Sequence, residues 1–264
     1  MIRLEGIDIT FNKGGALENH ALREVDSVIS NGQFVTVIGS NGAGKSTLLN
    51  VIAGELVPDS GRVLVDGRDI TRWPVHRRAP LIARMFQDPR AGICEDMSIL
   101  ENLAIAAART SPRGIRVAIN PAFRREATDR VAVLGLGLEN RLHDRVALLS
   151  GGQRQALCLV MATFGATKVL LLDEHTAALD PAAAELVMNL TDRIVRTLGI
   201  TSVMVTHSMR QALEFGDRTL MLSQGRIILD ISGPSRASMT VEGLVELFRR
   251  KEGTEVTDDE LLLS

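Results

Sequence analysis

The chain has 264 residues, of which 45% are hydrophobic and 23% charged, an ordinary globular balance that excludes a disordered or collagen-like polymer. Thirty Lys and Arg against 32 Asp and Glu leave a formal charge of −2, so the basic surplus that phosphate neutralisation requires is missing and a general nucleic-acid binder is excluded. Two cysteines, Cys94 and Cys158, form neither a disulfide framework nor a CxxC, and both read as reduced thiols.

The N-terminus, MIRLEGIDIT, has no apolar core of the kind a secretory leader carries. Ile2, Leu4, Ile7 and Ile9 are spaced mostly by two, the pattern of a half-buried strand, and Leu22 to Ile29 is a second strand-like stretch. Phe34 to Ile38 is a continuous apolar run and reads as a buried strand. A helix is expected from Lys45 to Gly54, and short strands at Arg62–Val65, after the turn Pro58-Asp59-Ser60-Gly61, and at Leu81–Phe86.

Between about 88 and 163 the chain turns Ala- and Leu-rich, with helices expected at Ile99–Arg109 and Pro121–Leu134, so this stretch reads as a helical insert. The apolar stretch Ala156–Leu172 is interrupted by Thr163, Gly165, Thr167 and Lys168. It reads as a helix and then a buried strand, not a membrane span. β/α alternation then returns: a strand at Val169–Leu172, a helix at Pro181–Leu198, a strand at Thr201–Thr206, a short helix at Met209–Phe215, and a hairpin turning at Gln224-Gly225. That alternation predicts an α/β fold with a mainly parallel sheet. The tail from 251 to 264 holds five acids and one base and reads either as a solvated end or as a docking tail.

Three segments carry chemistry. Gly39-Ser40-Asn41-Gly42-Ala43-Gly44-Lys45-Ser46-Thr47 fits GxxxxGK[ST] between a buried strand and a helix. Backbone N–H groups of such a loop and the helix N-terminus receive phosphate oxygens, Lys45 reaches the β- and γ-phosphates, and Ser46 can ligate Mg²⁺. Val169 to Leu172 is followed by Asp173 and Glu174 at the end of a strand, where ligands of parallel sheets bind, so both carboxylates are expected beside the phosphate loop. Asp173 suits Mg²⁺ and Glu174 suits the polarisation of an attacking water. Leu149-Ser150-Gly151-Gly152-Gln153 opens a helix and offers a second anion cradle with no lysine; taken alone, it reads equally as a capped helix start.

Together these segments resemble the ATP-binding subunits of ABC transporters. The resemblance implies a P-loop NTPase of the ABC ATPase type over residues 1–250, with an N-terminal antiparallel β subdomain and the helical insert, followed by the acidic tail. It further implies ATP and Mg²⁺ as ligands and a role for each matching residue. Gln87 corresponds to the family's Q-loop residue, which ligates Mg²⁺ or the attacking water, and Asp180 to the D-loop that bridges two subunits. His207 corresponds to the switch histidine at the γ-phosphate, and Ser150, Gly151, Gly152 and Gln153 to the signature offered to the partner's nucleotide. Phe11, 28 residues before Gly39, stands where the adenine-stacking aromatic falls, in a chain with no tyrosine; the other reading of Phe11 is a core residue.

The implied partners are a second copy in a nucleotide-dependent head-to-tail dimer, membrane permease subunits and, through them, a substrate-binding protein. The implied location is the cytoplasmic face of the membrane. Where the family most often has proline after the catalytic acid, this chain has His175, for which pairing with an acid and a surface turn are both open. That variant, with GSNGAGKSTLLN, is similar to uptake systems whose permeases resemble branched-chain amino-acid permeases and whose assigned cargo is often tryptophan or tyrosine. A soluble ABC-type ATPase without a permease, of the cluster-assembly kind, is the alternative. Five arginines between Asn102 and Arg125 (109, 113, 116, 124 and 125) read as a solvated face or as an approach to anionic lipid.

Overall fold

The structure is a computed structural model and describes residues 1–110 and 118–252. Strands β1 (Ile2–Phe11) and β2 (Asn19–Ile29) pair antiparallel, with Ile2 opposite Ile29 and Phe11 opposite Asn19. Ile2, Leu4, Ile7 and Ile9 are all buried. The three-residue step from Leu4 to Ile7 is a bulge: the register shifts there and Gly6 has φ +53°, which absorbs the extra residue and returns Ile7 to the inner face.

Strand β3 (Phe34–Ile38) is buried along its whole length. Helix α1 (Lys45–Ala53) stops at Gly54, whose φ of +85° makes the left-handed cap that ends helices. Strand β4 (Ser60–Val65) begins two residues before the expected Arg62, because the turn residues are drawn into the pairing with β1. Ser60 lies opposite Asp8, and the Asp59 carboxylate accepts from the Thr10 N–H at 2.7 Å. Strand β5 (Arg68–Asp69) and helix α2 (Val75–Arg78) follow; both are too short to leave a periodic signal.

Next come β6 (Ile82–Met85), α3 (Ile99–Ala108), α4 (Pro121–Ala132) and α5 (Gly151–Ala162). Each helix starts at a polar cap: Ser98 with Glu101, Asn120 before Pro121, and Ser150 with Gln153. Strand β7 (Val169–Asp173), helix α6 (Pro181–Leu198), β8 (Thr201–Val205) and α7 (Met209–Glu214) complete the β/α alternation. Helix α6 is amphipathic, burying Val187, Met188, Leu190, Thr191, Ile194 and Val195 at helical spacing. Strands β9 (Arg218–Ser223) and β10 (Arg226–Ser232) form the expected hairpin. Gln224 and Gly225 both have positive φ, as a type I′ turn demands. Short α8 (Gly233–Ala237) and α9 (Val241–Glu252) end the described chain.

The chain divides into two compact units. One holds Met1–Arg78 and the chain from Leu198 onward. Its antiparallel sheet has the order β2-β1-β4-β5, and in its second sheet β3 lies between β8 and β9, parallel to both, with β10 antiparallel at the outer side of β9. Ile38, Met209, Met221, Leu244 and Phe248 form a core that fixes α7 and α9 on this sheet. The other unit, Ala79–Thr197, pairs β6 and β7 in parallel and carries α3 to α6. Among the described residues no helix is long and apolar enough to cross a membrane.

Arg109 departs from the solvated-face expectation. Its guanidinium donates to the Ala162 carbonyl at 2.7 Å and to Thr167 Oγ1 at 2.9 Å, so it turns inward and caps the C-terminus of α5. Arg124 and Arg125 are exposed, whereas Arg113 and Arg116 lie outside the described residues, as does the acidic tail beyond Glu252.

Candidate active site

The first unit holds the phosphate loop. Asn41 and Gly42 are exposed at its tip, while Ala43, Gly44 and Lys45 are buried. Lys45 Nζ donates to the carbonyls of Gly39 at 2.6 Å and Ser40 at 3.0 Å, so the ammonium is folded over the loop. Gly44 stands at the N-cap of α1 and supplies no side-chain acceptor, and no acid occupies the first turn. The amides at this helix start are therefore left to an anion, and they carry the positive end of the helix dipole. The hairpin turn braces the loop from outside: Gly225 N donates to the Ala43 carbonyl at 3.1 Å, and Arg23 N to the Gly225 carbonyl at 2.8 Å.

The glycines serve a purpose that phosphate binding alone does not explain. A Cβ on Gly39 would stand 2.1 Å from the Leu222 carbonyl oxygen, and one on Gly44 would stand 2.3 Å from that of Ala21. Both positions are closed by neighbouring backbone, whereas a Cβ on Gly42 meets nothing within 4 Å and suffers only from φ +78°. Gly39→Ala is thus expected to lose about 3 kcal/mol of stability as the loop and β9 are forced apart, against about 1 kcal/mol for Gly42→Ala. Urea unfolding of the nucleotide-free variants measures the difference, and equal losses would contradict it.

Phe11 closes β1 with its side chain 38% exposed, so it is not core, whereas Phe34 is fully buried. His207 is exposed two residues beyond the end of β8, not at the strand terminus itself. Its loop is held by Thr206, whose hydroxyl donates to Gln211 Oε1 at 2.9 Å and accepts from the Ser208 N–H at 3.1 Å.

The second unit holds the remaining expected residues. Asp173 ends β7, and one of its carboxylate oxygens pairs with Arg84 on β6 at 2.6 Å. Arg84 also lies over the Phe86 ring, 5.0 Å from its centre. Glu174 follows with φ +46°, a left-handed conformation that a non-glycine residue holds only at a cost and that commonly marks a functional position. Gln87 is exposed just past β6.

Ser150 and Gln153 form a reciprocal capping box. Ser150 Oγ accepts from the Gln153 N–H at 3.2 Å, and Gln153 Oε1 accepts from the Ser150 N–H at 3.1 Å. The Ser150 hydroxyl still has its own hydrogen to donate, so capping and anion binding are compatible. Gly152 is needed for packing, since a Cβ there would stand 3.0 Å from that of Ala183 on α6. Asp180 accepts from the Ala183 N–H at 3.0 Å and so caps α6.

Among the described residues His175 pairs with no acid, and it is not placed on a surface turn. It is 2% exposed, and its Nε2 lies 3.2 Å from Thr191 Oγ1 on α6. Burial pushes its imidazole down from the ordinary 6.5 to about 4. The unfolded chain therefore takes up this proton below pH 6.5 and the folded chain does not until about pH 4. The associated stability is complete above pH 6.5 and is lost as the pH falls toward 4. Between pH 7 and 5 the loss should be about 2 kcal/mol. Denaturant titrations of the parent and of His175→Gln at the two pH values should differ by that amount, and an unchanged slope in the variant would refute the assignment.

Two residues escaped the sequence reading: Arg84, a charge inside an otherwise apolar strand run, and Gln155, a lone amide in the apolar face of α5. Each breaks the local pattern, and that break was the available signal. The thiols behave as expected from the sequence, Cys94 exposed and free, Cys158 free and buried with its thiol pushed up to about 12.

Residues 22–177 match the ABC transporter family. The chain belongs to that family. As such a cassette it binds ATP and hydrolyses it. Among curated proteins it is 39% identical to the "Tyrosine transport ATP-binding protein" of Clostridioides difficile (strain R20291), over 94% of this chain and 98% of that one. It is 34% identical to "Spermidine/putrescine import ATP-binding protein PotA" of Shigella flexneri over 87% of this cassette but only 56% of PotA, so it spans little more than half of that relative. Among solved structures, cbiO1 from Clostridium perfringens, part of the transporter complex cbiONQ, superposes with a TM-score of 0.78 at 25% identity, covering 95% of this cassette and 94% of cbiO1. The ATP-binding cassette MJ0796, solved as a dimer bound to ADP and Pi, gives 0.74 at 27% identity, covering 88% and 98%.

Proposed function

We propose that this cassette drives amino-acid uptake, with an aromatic amino acid of the tyrosine kind as cargo. The observation that carries the cargo reading is the end-to-end match to a tyrosine transport ATP-binding protein, 98% of which is covered. The cassette itself contacts no cargo; it works beneath permease subunits fed by a substrate-binding protein, at the cytoplasmic face of the membrane.

In this reading Lys45 and the open amides at the start of α1 bind the β- and γ-phosphates, and Phe11 stacks on adenine. Mg²⁺ suits the donor set. Ser46 follows Lys45 on α1 with an exposed side chain, and Asp173 retains a second carboxylate oxygen beside the one held by Arg84. Such hard oxygen donors hold Mg²⁺ when the phosphates complete its shell. Ser46, Asp173 and Gln87 would hold the ion, which neutralises the charge that develops on the phosphates. Glu174 takes the proton of the attacking water, and His207 steadies the γ-phosphate.

Ser150, Gly151, Gly152 and Gln153 serve the nucleotide of a second copy, and Asp180 lies in the bridging segment between copies. The capped but lysine-free start of α5 supports this. It offers a hydroxyl hydrogen and helix amides without groups that would hold a nucleotide alone.

The test is isolation of the cassette from native membranes in ATP without hydrolysis, followed by reconstitution of whatever permease accompanies it. ATP-dependent uptake of tyrosine or tryptophan is the expected result. Uptake of polyamines instead would overturn the cargo, and a cassette that stays in the soluble fraction with no permease would favour the soluble ATPase.

A further inference from the structure

Gln155 lies on α5, two residues beyond Gln153, and is 1% exposed among Ala156, Leu157, Cys158 and Leu159. Its Nε2 donates to the Phe86 carbonyl at 3.3 Å and, by a short bond, to the His175 carbonyl. Its Oε1 is buried and, among the described residues, meets no hydrogen-bond donor. A buried primary amide left with an unmet acceptor costs stability, and its presence asks for a compensating role. The two donors supply one, because their acceptors belong to the residue just before Gln87 and the residue just after Glu174.

His175 is fastened at its other end as well. Thr191 Oγ1 gives its only hydrogen to the Val187 carbonyl at 2.8 Å, so His175 Nε2 is the donor to Thr191. The peptide segment that follows Glu174 is thus held at the His175 carbonyl by α5 and through the His175 ring by α6. Glu174 sits in a left-handed conformation, so the direction of its carboxylate depends on how that peptide is held.

We propose that Gln155 is a positioning residue for Glu174, linking the start of the signature helix to the carboxylate and to the Gln87 segment. The proposal rests on Glu174 being the general base. Displacement of the start of α5 would be carried by one rigid amide to both segments, so that the carboxylate is aligned only when residues 150–153 are engaged. No contact of Gln155 with nucleotide is required.

Gln155→Met keeps the length of the side chain and removes both donors. ATP affinity, kcat and KM would be measured for the parent, Gln155→Met, Glu174→Gln and the double variant. The expected result is a fall in kcat of at least about tenfold with ATP affinity within about twofold. In single-turnover measurements on the Glu174→Gln background, the second substitution should add less than about twofold, as for groups that act as a unit. A merely structural role predicts full additivity, which would overturn the proposal, as would an unchanged kcat in Gln155→Met while Glu174→Gln is impaired. A Glu174→Gln protein that hydrolyses at the parent rate overturns instead the underlying assignment of the base. Should Gln155→Met not fold, Thr191→Val frees the His175 ring with Gln155 intact. It should show the same selective loss of kcat, and a parent-like kcat there overturns the proposal.

Discussion

Glu174→Gln is expected to bind ATP as the parent does and to hydrolyse it about 10²–10⁴-fold more slowly, the range that a positioned general base supplies. The amide has the size of the carboxylate but cannot accept the proton of the attacking water. Affinity is expected to survive because the groups proposed to hold the phosphates and the adenine, Lys45, the amides at the start of α1 and Phe11, lie on other elements and keep their own supports. These are the Gly39 and Ser40 carbonyls for the ammonium and the Gly225–Ala43 brace for the loop. With hydrolysis blocked, ATP remains as the bridge between copies, so the variant should run as a dimer in ATP on size exclusion and as a monomer in its absence. Phosphate release at the parent rate would remove Glu174 from the role of base. A strict monomer in ATP would remove residues 150–153 from the role of a shared cradle.

Arg78→Leu should be the most destabilising single change in the first unit. Arg78 is 1% exposed and, among the described residues, bonds no carboxylate; its guanidinium is spent on main-chain carbonyls. Nη1 donates to Val51 and Ile52 at 2.8 Å each, Nη2 to Thr71 at 2.7 Å and Nε to Trp73 at 3.0 Å. Burial lowers its pKa to about 10, well above neutrality, so the charge is kept. It thereby caps the carbonyl end of α1, where the helix dipole favours a cation, and ties α2 to the far end of the phosphate-loop helix. Leucine leaves four carbonyls, three of them in buried contacts, without that donor. Each unmet group costs about 1–3 kcal/mol, with partial relaxation, so a loss of about 3–5 kcal/mol is expected. Calorimetry should register a fall in Tm of about 6–15 °C. Arg78→Lys should recover only part, because one ammonium cannot span four acceptors arranged for a planar fork. A fall of under 2 °C for Arg78→Leu would refute this account of the arginine.

Arg78, Arg109 and Arg236 form a pattern that sequence reading could not reach. Arg236 donates to the Ala212 and Leu213 carbonyls at 2.8 and 3.0 Å, beside the end of α7, much as Arg109 does at α5. In composition they are three of many cations. Whether an arginine is solvated, paired with an acid or turned onto a helix end depends on which carbonyls the chain brings near it, and those carbonyls are far away in sequence.

Local rules were enough wherever the signal was local. The period-two and continuous apolar runs located β1, β3, β7 and β8, Ala- and Leu-rich composition located α3 and α4, and the Ser150 cap located the start of α5. The Gln224-Gly225 pair fixed the last hairpin, because a type I′ turn needs positive φ at both central residues. The phosphate loop and the acid pair after β7 were legible because phosphate and water chemistry demand those residue types in close succession, whereas residues 149–153 read equally as a capped helix start until the family resemblance gave them a role. The bulge at Gly6 and the early start of β4 were not legible, since both are settled by the partner strand.

The amino-acid order thus determined by itself that this chain is an ATPase cassette, and it singled out the candidate site residues near strand and helix ends. Tertiary structure decided the supports of those residues. It showed that Gly39 and Gly44 are closed by the backbone of Leu222 and Ala21, that Asp173 is paired with Arg84, and that His175 is a buried, neutral donor to Thr191. The physical reason is range. Backbone chemistry and hydrophobic period act over a few residues, whereas burial and pairing depend on atoms that only folding brings within about 3 Å of one another.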